Sequence, residues 1–372
     1  MIVSLVLLVI TIIYSAFIFW CMKGWKKNAG HGKRSNISLR TIDVIIAIRN
    51  EELTILRLLE QLSVQSYVKS NFKIVVVDDH STDNSVAIVN NFFKSHSDIN
   101  GILLNAESEG KKGAMTQAIG QSKAELILTT DGDCMVGENW IRSMSEPFSD
   151  PEISFVAGPV LLTGGSGLIS ILQRMEMIGL TGIAGASILN HRAMMCNGAN
   201  LCFRKSAYDK VQGYTGSSFA SGDDTQLMRK FHSENPKQLT FVKSVSAIVK
   251  SHSEKSIGSF WQQRRRWATK IPFTLSFFTV FIAVISWFVH AGLLAGLIAS
   301  FFYPKLKLIF ISAILIKISV ELFFLKKVGR DLGQKTFSPL IILIQPYYWL
   351  YITLVGLAVP FATYKWKGRR VR

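Results

Sequence analysis

Four apolar runs set the terms on which this chain can fold. Ile2 to Trp20 carries no charge. Pro272 to Phe302, Leu308 to Leu325 and Pro339 to Ala362 follow toward the carboxyl end, with only Lys317 and Glu321 interrupting the third of the four. Each is about the length a helix needs to cross ~30 Å of hydrocarbon. The first has no basic stretch before it and no small-residue cleavage site after it, so an uncleaved anchor is expected rather than a signal peptide. An integral membrane protein follows. Its 372 residues leave room for one large domain between the first run and the other three.

The formal charge of +17 would suit a nucleic-acid partner, but its distribution does not. Between Asn36 and Gly258 stand 21 Lys and Arg against 23 Asp and Glu, while the 21 remaining basic residues face only Glu321 and Asp331. The surplus lies beside the apolar runs, at Lys23 to Arg34, Arg264 to Lys270, Lys326 to Lys335 and Lys365 to Arg372. That is the pattern of the positive-inside rule and of anionic headgroups, not of a DNA-binding face. The expected setting is a plasma or inner membrane, with the central domain in the cytoplasm. An outside amino terminus and four crossings would leave the basic tail outside, against the rule. A re-entrant or interfacial last segment, bounded by Pro346 and Pro360, would remove that conflict. Cys21, Cys134, Cys196 and Cys202 show no CxxC spacing, so neither a zinc site nor a disulfide framework is indicated.

Between the apolar runs, strand-like and helix-like stretches alternate. Asp43 to Arg49, Lys73 to Asp79 and Leu126 to Asp131 are β-branched runs that stop on charged residues, as buried parallel strands do; Gly101 to Asn105 and Phe155 to Val160 are further strands. After Asn50-Glu51-Glu52, Leu53, Leu56, Leu59 and Leu62 have the spacing of one helical face. Ser81 to Ser85 supply N-cap chemistry for a helix through Val86, Ile88, Val89 and Phe92, and Gly110 to Gly113 lead into one through Met115 and Ile119. This βαβ order predicts a Rossmann-like parallel sheet. Gly165 to Ile188 fits either a helix on the membrane surface or a buried packing helix. Ser256 to Thr269, with Trp261, Arg264, Arg265, Arg266 and Trp267, has the composition of an interfacial amphipathic helix.

Asp131-Gly132-Asp133 would stand at a strand's carboxyl edge, where open α/β sheets bind ligands. Two carboxylates so close repel each other unless something positive lies between them. A hard divalent cation shared with a phosphate-bearing substrate answers that need; a strand-ending Asp-Gly turn is the plain alternative. No Gly-x-Gly-x-x-Gly or Gly-Lys-Ser/Thr loop is present, so neither a dinucleotide nor ATP is implied.

Four signals stand in order: Val77-Asp78-Asp79-His80-Ser81, Asp131-Gly132-Asp133, Gly222-Asp223-Asp224 and Gln263-Arg264-Arg265-Arg266-Trp267. Together they resemble the membrane-bound inverting nucleotide-sugar glycosyltransferases of family 2, a group that includes cellulose, hyaluronan and poly-N-acetylglucosamine synthases and ceramide glucosyltransferase. The resemblance runs from about Asp43 to Lys270 and implies a GT-A fold, an α/β nucleotide-sugar-binding domain joined to transmembrane helices. It implies that Asp79 accepts hydrogen bonds from a uracil ring, where an N-cap is the local alternative. Ala47, Arg49 and Glu52 would cradle the nucleotide, and Lys111 would lie in the donor-binding segment. Asp131 and Asp133 would contact the donor and hold Mg2+ or Mn2+, with Asp133 the more direct ligand. Asp224 would be the general base, although its pair is Asp223-Asp224 where Glu-Asp is commoner. A carboxylate pair at a helix N-terminus is also what the helix dipole favours. Gln263, Arg266 and Trp267 match the Q-x-x-R-W motif that serves the diphosphate and acceptor, while Arg264 or Arg265 would anchor at the membrane boundary. The turn Gly198-Ala199-Asn200 matches a loop near the donor sugar.

The expected divisions are an anchor over 1–22, a basic linker over 23–40, a cytoplasmic catalytic domain over 41–255 and an interfacial helix over 256–271. Transmembrane helices over 272–303 and 307–325, a transmembrane or re-entrant helix over 338–362 and a basic tail over 363–372 complete the chain. The expected partners are a nucleotide-sugar donor, a lipid or glycan acceptor and the membrane. A processive polysaccharide synthase of the same family is the alternative activity, and a non-catalytic membrane scaffold is the alternative of another class.

Overall fold

In the computed structural model the described residues are 2–27, 39–215, 223–268, 276–304, 307–336, 338–358, 364–366 and 369–371. They fall into two compact units: residues 27–164 with 183–253, and residues 1–26 with 165–182 and 254–372. The stretch 165–182, expected inside the central domain, thus groups with the helices of the second unit.

Helix α1 (Ile2–Lys26) opens the chain, and the sheet unit follows. Strands β1 (Ile42–Ile48), β2 (Phe72–Asp78), β3 (Gly101–Asn105) and β4 (Leu126–Asp131) alternate with helices α2 (Ile55–Ser63), α3 (Ser85–Ser95) and α4 (Lys111–Gln121). β1 lies between β2 and β4 and parallel to both, so that Ala47 stands beside Val77 on one side and Asp131 on the other. Every residue of β1 is buried except Ala47, as expected for a strand covered on both faces. α2 buries Ile55, Leu58, Leu59 and Leu62. The expected face at Leu53 and Leu56 is displaced because the helix begins only at Ile55, which leaves Leu53 in the preceding turn, 92% exposed.

Beyond β4 come α5 (Trp140–Ser145), β5 (Phe155–Ala157), β6 (Val160–Thr163), α6 (Leu168–Leu189), β7 (Leu201–Arg204), α7 (Lys205–Lys210), α8 (Asp223–Glu234), β8 (Leu239–Phe241), β9 (Val249–His252) and α9 (Ile257–Ala268). The main sheet has the order β3-β2-β1-β4-β7-β5-β8, with β7 antiparallel to both β4 and β5. The strand expected over Phe155 to Val160 is split. A Cβ on Gly158 would stand 2.4 Å from Asn200 Nδ2, and Pro159 has no N–H to donate to a ladder. β5 stays in the main sheet, and β6 pairs with β9 instead. Trp140, Phe148, Phe155, Phe203, Phe231 and Phe241 are the largest fully buried side chains of this unit.

The second unit holds α1, the first part of α6, α9, α10 (Phe277–Phe302), α11 (Lys307–Asp331), α12 (Ser338–Leu343), α13 (Gln345–Ala358) and a terminal pair of strands, β10 (Tyr364–Trp366) and β11 (Arg369–Val371). Among the described residues, three of its helices, α1, α10 and α11, are long and apolar enough to cross a membrane. The last apolar run is instead divided at Ile344, and Pro346 occupies the first turn of α13, where its missing N–H costs least. Close packing is made by small residues: a Cβ on Gly356 would stand 2.1 Å from the Trp287 ring. The Trp287 indole donates to the Thr353 carbonyl at 3.2 Å.

A polar cluster lies buried in this apolar unit. Lys317 Nζ donates to Glu321 Oε2 at 2.8 Å and to Gln345 Oε1 at 2.6 Å, so the pairing expected from their i, i+4 spacing forms. Gln345 Nε2 and Tyr14 Oη also donate to Glu321, at 3.0 and 2.6 Å, and the Trp349 indole donates to Gln345 Oε1 at 3.0 Å.

Candidate active site

The chain runs β1, β2, β3 to one side of the sheet and then returns to place β4 against β1. The carboxyl ends of β1 and β4 therefore meet at the topological switch point, the usual ligand crevice of such sheets. Arg49, Asp79 and Asp131 all stand there. The turn after each of β1 and β2 passes through a left-handed residue, Asn50 (φ 53°) and His80 (φ 58°), a conformation that non-glycine residues hold only when their surroundings demand it. Here the two turns are stapled to each other. Asn50 Oδ1 accepts from the Thr82 amide at 2.8 Å, Asn50 N donates to Ser81 Oγ at 3.0 Å and Glu51 N donates to Ser85 Oγ at 2.7 Å. Glu52, expected at the nucleotide, has its carboxylate on Asn84 at the start of α3, accepting from the backbone N and Nδ2 at 3.1 and 3.0 Å. Burial alone would raise the Asp83 carboxyl, but hydrogen bonds from the Ser85 hydroxyl and amide and the Glu52 amide hold it below the ordinary carboxylate range.

Asp79 is buried, and its role is not that of a cap on α3. Its Oδ1 accepts from the Gly110 amide at 2.9 Å, and its carbonyl accepts from Arg49 Nη1 at 2.6 Å. Gly110 has φ 100°, which explains a glycine at this position. The next residue, Lys111, opens α4, and its ammonium is hydrogen-bonded to Asp131 Oδ1. One continuous path therefore joins Arg49, Asp79, Gly110, Lys111 and Asp131 across the ends of β1, β2 and β4.

Gly132 lets the acidic turn press against the β1–α2 connection: a Cβ there would stand 2.9 Å from Ile48 Cγ2 and 3.1 Å from Glu51 Cγ. Asp133 Oδ2 receives the Ser251 hydroxyl of β9 at 3.5 Å. Asp131, Asp133 and Cys134 each offer a ligand atom within 4.8 Å of the others. Burial, then the charges of Asp131 and Asp133, push the Cys134 thiol up. A protonated thiol is a poor donor to a hard cation, whereas two carboxylates suit Mg2+ or Mn2+. The residues present fit such an ion, with the Lys111 ammonium as its neighbour on Asp131.

Asp224 reaches the same edge by another route. Its Oδ2 accepts from the Gly198 amide at 2.9 Å, and the Gly198 carbonyl accepts from Thr129 Oγ1 of β4 at 2.8 Å. Because β7 is antiparallel to β4 with Leu201 opposite Thr129, the residues before Leu201 run alongside the Asp131 end of β4. Asn200 itself is fully buried and structural: it accepts from the Trp140 indole at 3.0 Å and donates to the carbonyls of Pro159 and Ala247 at 2.9 and 2.8 Å. Gly222 lies outside the described residues, and of Asp223 only the backbone, at the start of α8, is described.

Gln263, Arg266 and Trp267 lie on α9, in the second unit. Gln263 Nε2 donates to Glu254 Oε1 at 2.9 Å. Arg264, a candidate for a membrane anchor, is instead 2% exposed and salt-bridged to Glu176 of α6. Sequence reasoning passed over Glu176, Thr129 and the Gly110 amide. Two hydroxyl residues in the otherwise apolar run Leu126 to Thr130 were a signal for Thr129, since such a hydroxyl must find a partner when buried. Glu176 was visible only as a charge in an apolar stretch.

The family model described as Glycosyl transferase family 2 matches residues 43–212. The poly-beta-1,6-N-acetyl-D-glucosamine synthase of Staphylococcus epidermidis is 25% identical over 244 residues, which is 63% of this chain and 56% of that protein. The beta-monoglucosyldiacylglycerol synthase of a Synechocystis species is 23% identical over 241 residues, 64% of this chain and 49% of that one. The chain thus spans about half the length of these curated relatives. Among solved structures, the mannosyltransferase PcManGT of Pyrobaculum calidifontis, in complex with GDP-Man and Mn2+, shares the fold with a TM-score of 0.61 at 14% identity over 96% of this chain and 98% of that one.

Proposed function

Residues 43–212 belong to glycosyl transferase family 2, with the GT-A fold, and from that premise we propose that the protein moves one sugar from a UDP-linked donor to a hydroxyl of a lipid or membrane-associated acceptor, with inversion at the anomeric carbon. The observation that carries this reading is the path Asp79–Gly110–Lys111–Asp131 across the switch point. It brings the Asp79 carboxylate, the Lys111 ammonium and Asp131 together at one edge of the sheet, which supports roles for them toward base, phosphate and cation. Asp79, with Ala47, Arg49 and Glu52 around the neighbouring turns, serves the nucleoside end. Ala47 is the small, partly open side chain of β1 beside Asp131, and it leaves room there. Lys111 and the first-turn amides of α4 face the phosphates.

Asp133 and Asp131 would hold Mg2+ or Mn2+, an ion that would neutralise charge developing on a leaving diphosphate. Asp224, held by the Gly198 amide, takes the proton from the acceptor hydroxyl as that oxygen attacks, and Asp223 adjoins it. To Gln263, Arg266 and Trp267 the family pattern assigns diphosphate and acceptor roles, Arg266 as a phosphate ligand.

Single addition is favoured over polymer synthesis because the polar side chains Tyr14, Lys317, Glu321 and Gln345 are bonded to one another; they do not line a polar lumen. Three crossings, by α1, α10 and α11, would leave the domain and the basic tail on one side, the cytoplasm, in agreement with the charge rule. Labelling a cysteine placed in the tail from either side of the membrane tests that topology. The activity is tested by offering radiolabelled UDP-sugars and lipid extract to the purified protein. A singly glycosylated lipid is the expected product; chains of many sugars would favour the synthase, and no transfer from any donor would end the reading.

A further inference from the structure

The helix that carries Gln263, Arg266 and Trp267, together with Glu254 just before it, is braced by α6 at two points one turn apart. Gln173 is fully buried and bonds the backbone of Glu254 in both directions, donating to its carbonyl and accepting from its amide at 3.0 Å each. Glu176 takes Arg264: its Oε2 accepts from Arg264 Nε at 2.9 Å and also from Nη2. Its other oxygen, Oε1, accepts from the Tyr351 hydroxyl of α13 at 2.9 Å. The two side chains of the ion pair are 2% and 5% exposed, which makes this a desolvated contact held by geometry.

Arg264 passes that constraint along α9. Its guanidinium carbon lies 4.7 Å from the centre of the Phe260 ring and 4.1 Å from that of the Trp267 ring. Nη1 donates to Gln263 Oε1, whose amide nitrogen is fixed on Glu254. The orientation of both the Gln263 amide and the Trp267 indole is therefore set by Arg264. A guanidinium packed on aromatic rings keeps its plane only while its N–H groups have a fixed acceptor.

We infer that Glu176 is a positioning residue: through Arg264 it fixes Gln263 and the ring plane of Trp267 for the acceptor side of the reaction. This rests on the proposed transferase reading. A charge near the middle of α6 is thereby coupled to side chains that it does not touch.

The test uses the full-length protein in detergent or nanodiscs, with the variants Glu176→Gln, Arg264→Gln and the two together. Glu176→Gln keeps the size and the acceptor for Tyr351 but removes the charge. It should lower kcat by about tenfold to a hundredfold and raise the acceptor KM, since small misplacements have effects of that order, while the donor KM stays within about twofold. If Glu176 acts through Arg264, the double variant is no worse than the more severe single one. Tyr351→Phe, a milder lesion should Glu176→Gln fold poorly, should shift the acceptor KM in the same direction by less. Unchanged kinetics, effects that multiply in the double variant, or donor and acceptor terms falling together would overturn the assignment. Amide exchange over residues 257–268 gives a readout without turnover. Faster exchange in Glu176→Gln together with an inactive wild type would sink the transferase reading and leave the coupling standing. Unchanged exchange would sink the coupling.

Discussion

Two Lys–acid pairs separate the working edge of the sheet from the interior of the helical unit. Lys111 and Asp131 each keep 36% of the side chain in the open, whereas Lys317 and Glu321 keep 0% and 11%. The chemistry is the same and the surroundings are opposite. Glu321 is held by donors from three other residues, Lys317, Gln345 and Tyr14, all of them protein groups that water cannot replace in that interior. Lys111 and Asp131 can each be released to solvent, a phosphate or a cation. A half-exposed pair contributes about 0–1 kcal/mol, so it can be exchanged; a buried one is a fixture whose disruption is expensive. The difference teaches that the pair at the sheet edge is open to exchange, whereas the pair in the helical unit is a fixed internal contact.

The largest effect expected belongs to the edge. Asp224→Asn keeps an acceptor for the Gly198 amide but loses the proposed base, so transfer should fall by about 10²–10⁴-fold while UDP still binds and the melting temperature holds. Turnover and UDP titration on one preparation check it; unchanged turnover would remove Asp224 as the base.

Next comes the interior. Glu321→Gln leaves Lys317 buried without its counter-charge and should cost roughly 3–5 kcal/mol of stability, read as an earlier thermal transition in detergent. Turnover per folded molecule should be little changed. Replacing both partners, Lys317→Met with Glu321→Met, should recover much of the loss. If the double variant is as unstable as the single one, the pair is not the fixture described.

The exchangeable pair gives the reverse result. Lys111→Met should shift stability by no more than about 1 kcal/mol yet raise the donor KM several-fold. Freed of its ammonium, Asp131 should take the divalent cation at a lower half-saturating concentration. A metal titration of activity decides it: weaker cation response in the variant would mean that Lys111 helps to hold the ion's site rather than competing for it.

How much of this was legible in the sequence follows from range. The four parallel strands, and the charged ends of three of them at Arg49, Asp79 and Asp131, were readable because a β-branched run and its terminal charges are local features. The α2 face was misplaced by a local competition: Leu53 fits the helical period, but the turn through Asn50 and Glu51, stapled to Ser81, Thr82 and Ser85, delays the helix to Ile55. The break between β5 and β6 depends on Asn200, more than forty residues away, filling the space beside Gly158. Arg264 looked like a lipid anchor because its partner, Glu176, is 88 positions distant. The carboxylates could be named individually, but what ties them together, the Gly110 and Gly198 amides and the Thr129 hydroxyl, is carried by groups with no sequence signature of their own.

The smallest expected effect concerns pH and again falls on the edge. Asp83 is tied to Ser85 and to the Glu52 amide, and those hydrogen bonds hold its carboxyl below the ordinary range despite the opposing effect of burial. A carboxylate whose folded value is depressed stabilises the fold above the unfolded value, and that contribution fades as pH falls through the folded one. The wild type should therefore melt above Asp83→Asn at neutral pH and lose that margin below about pH 4, the ordinary range for an aspartate. Because Asp83 is partly open to solvent, the margin should be small. Its disappearance in acid identifies it: melting curves of the two proteins that stay parallel down to low pH would show that the staple between the β1 and β2 turns does not depend on this charge.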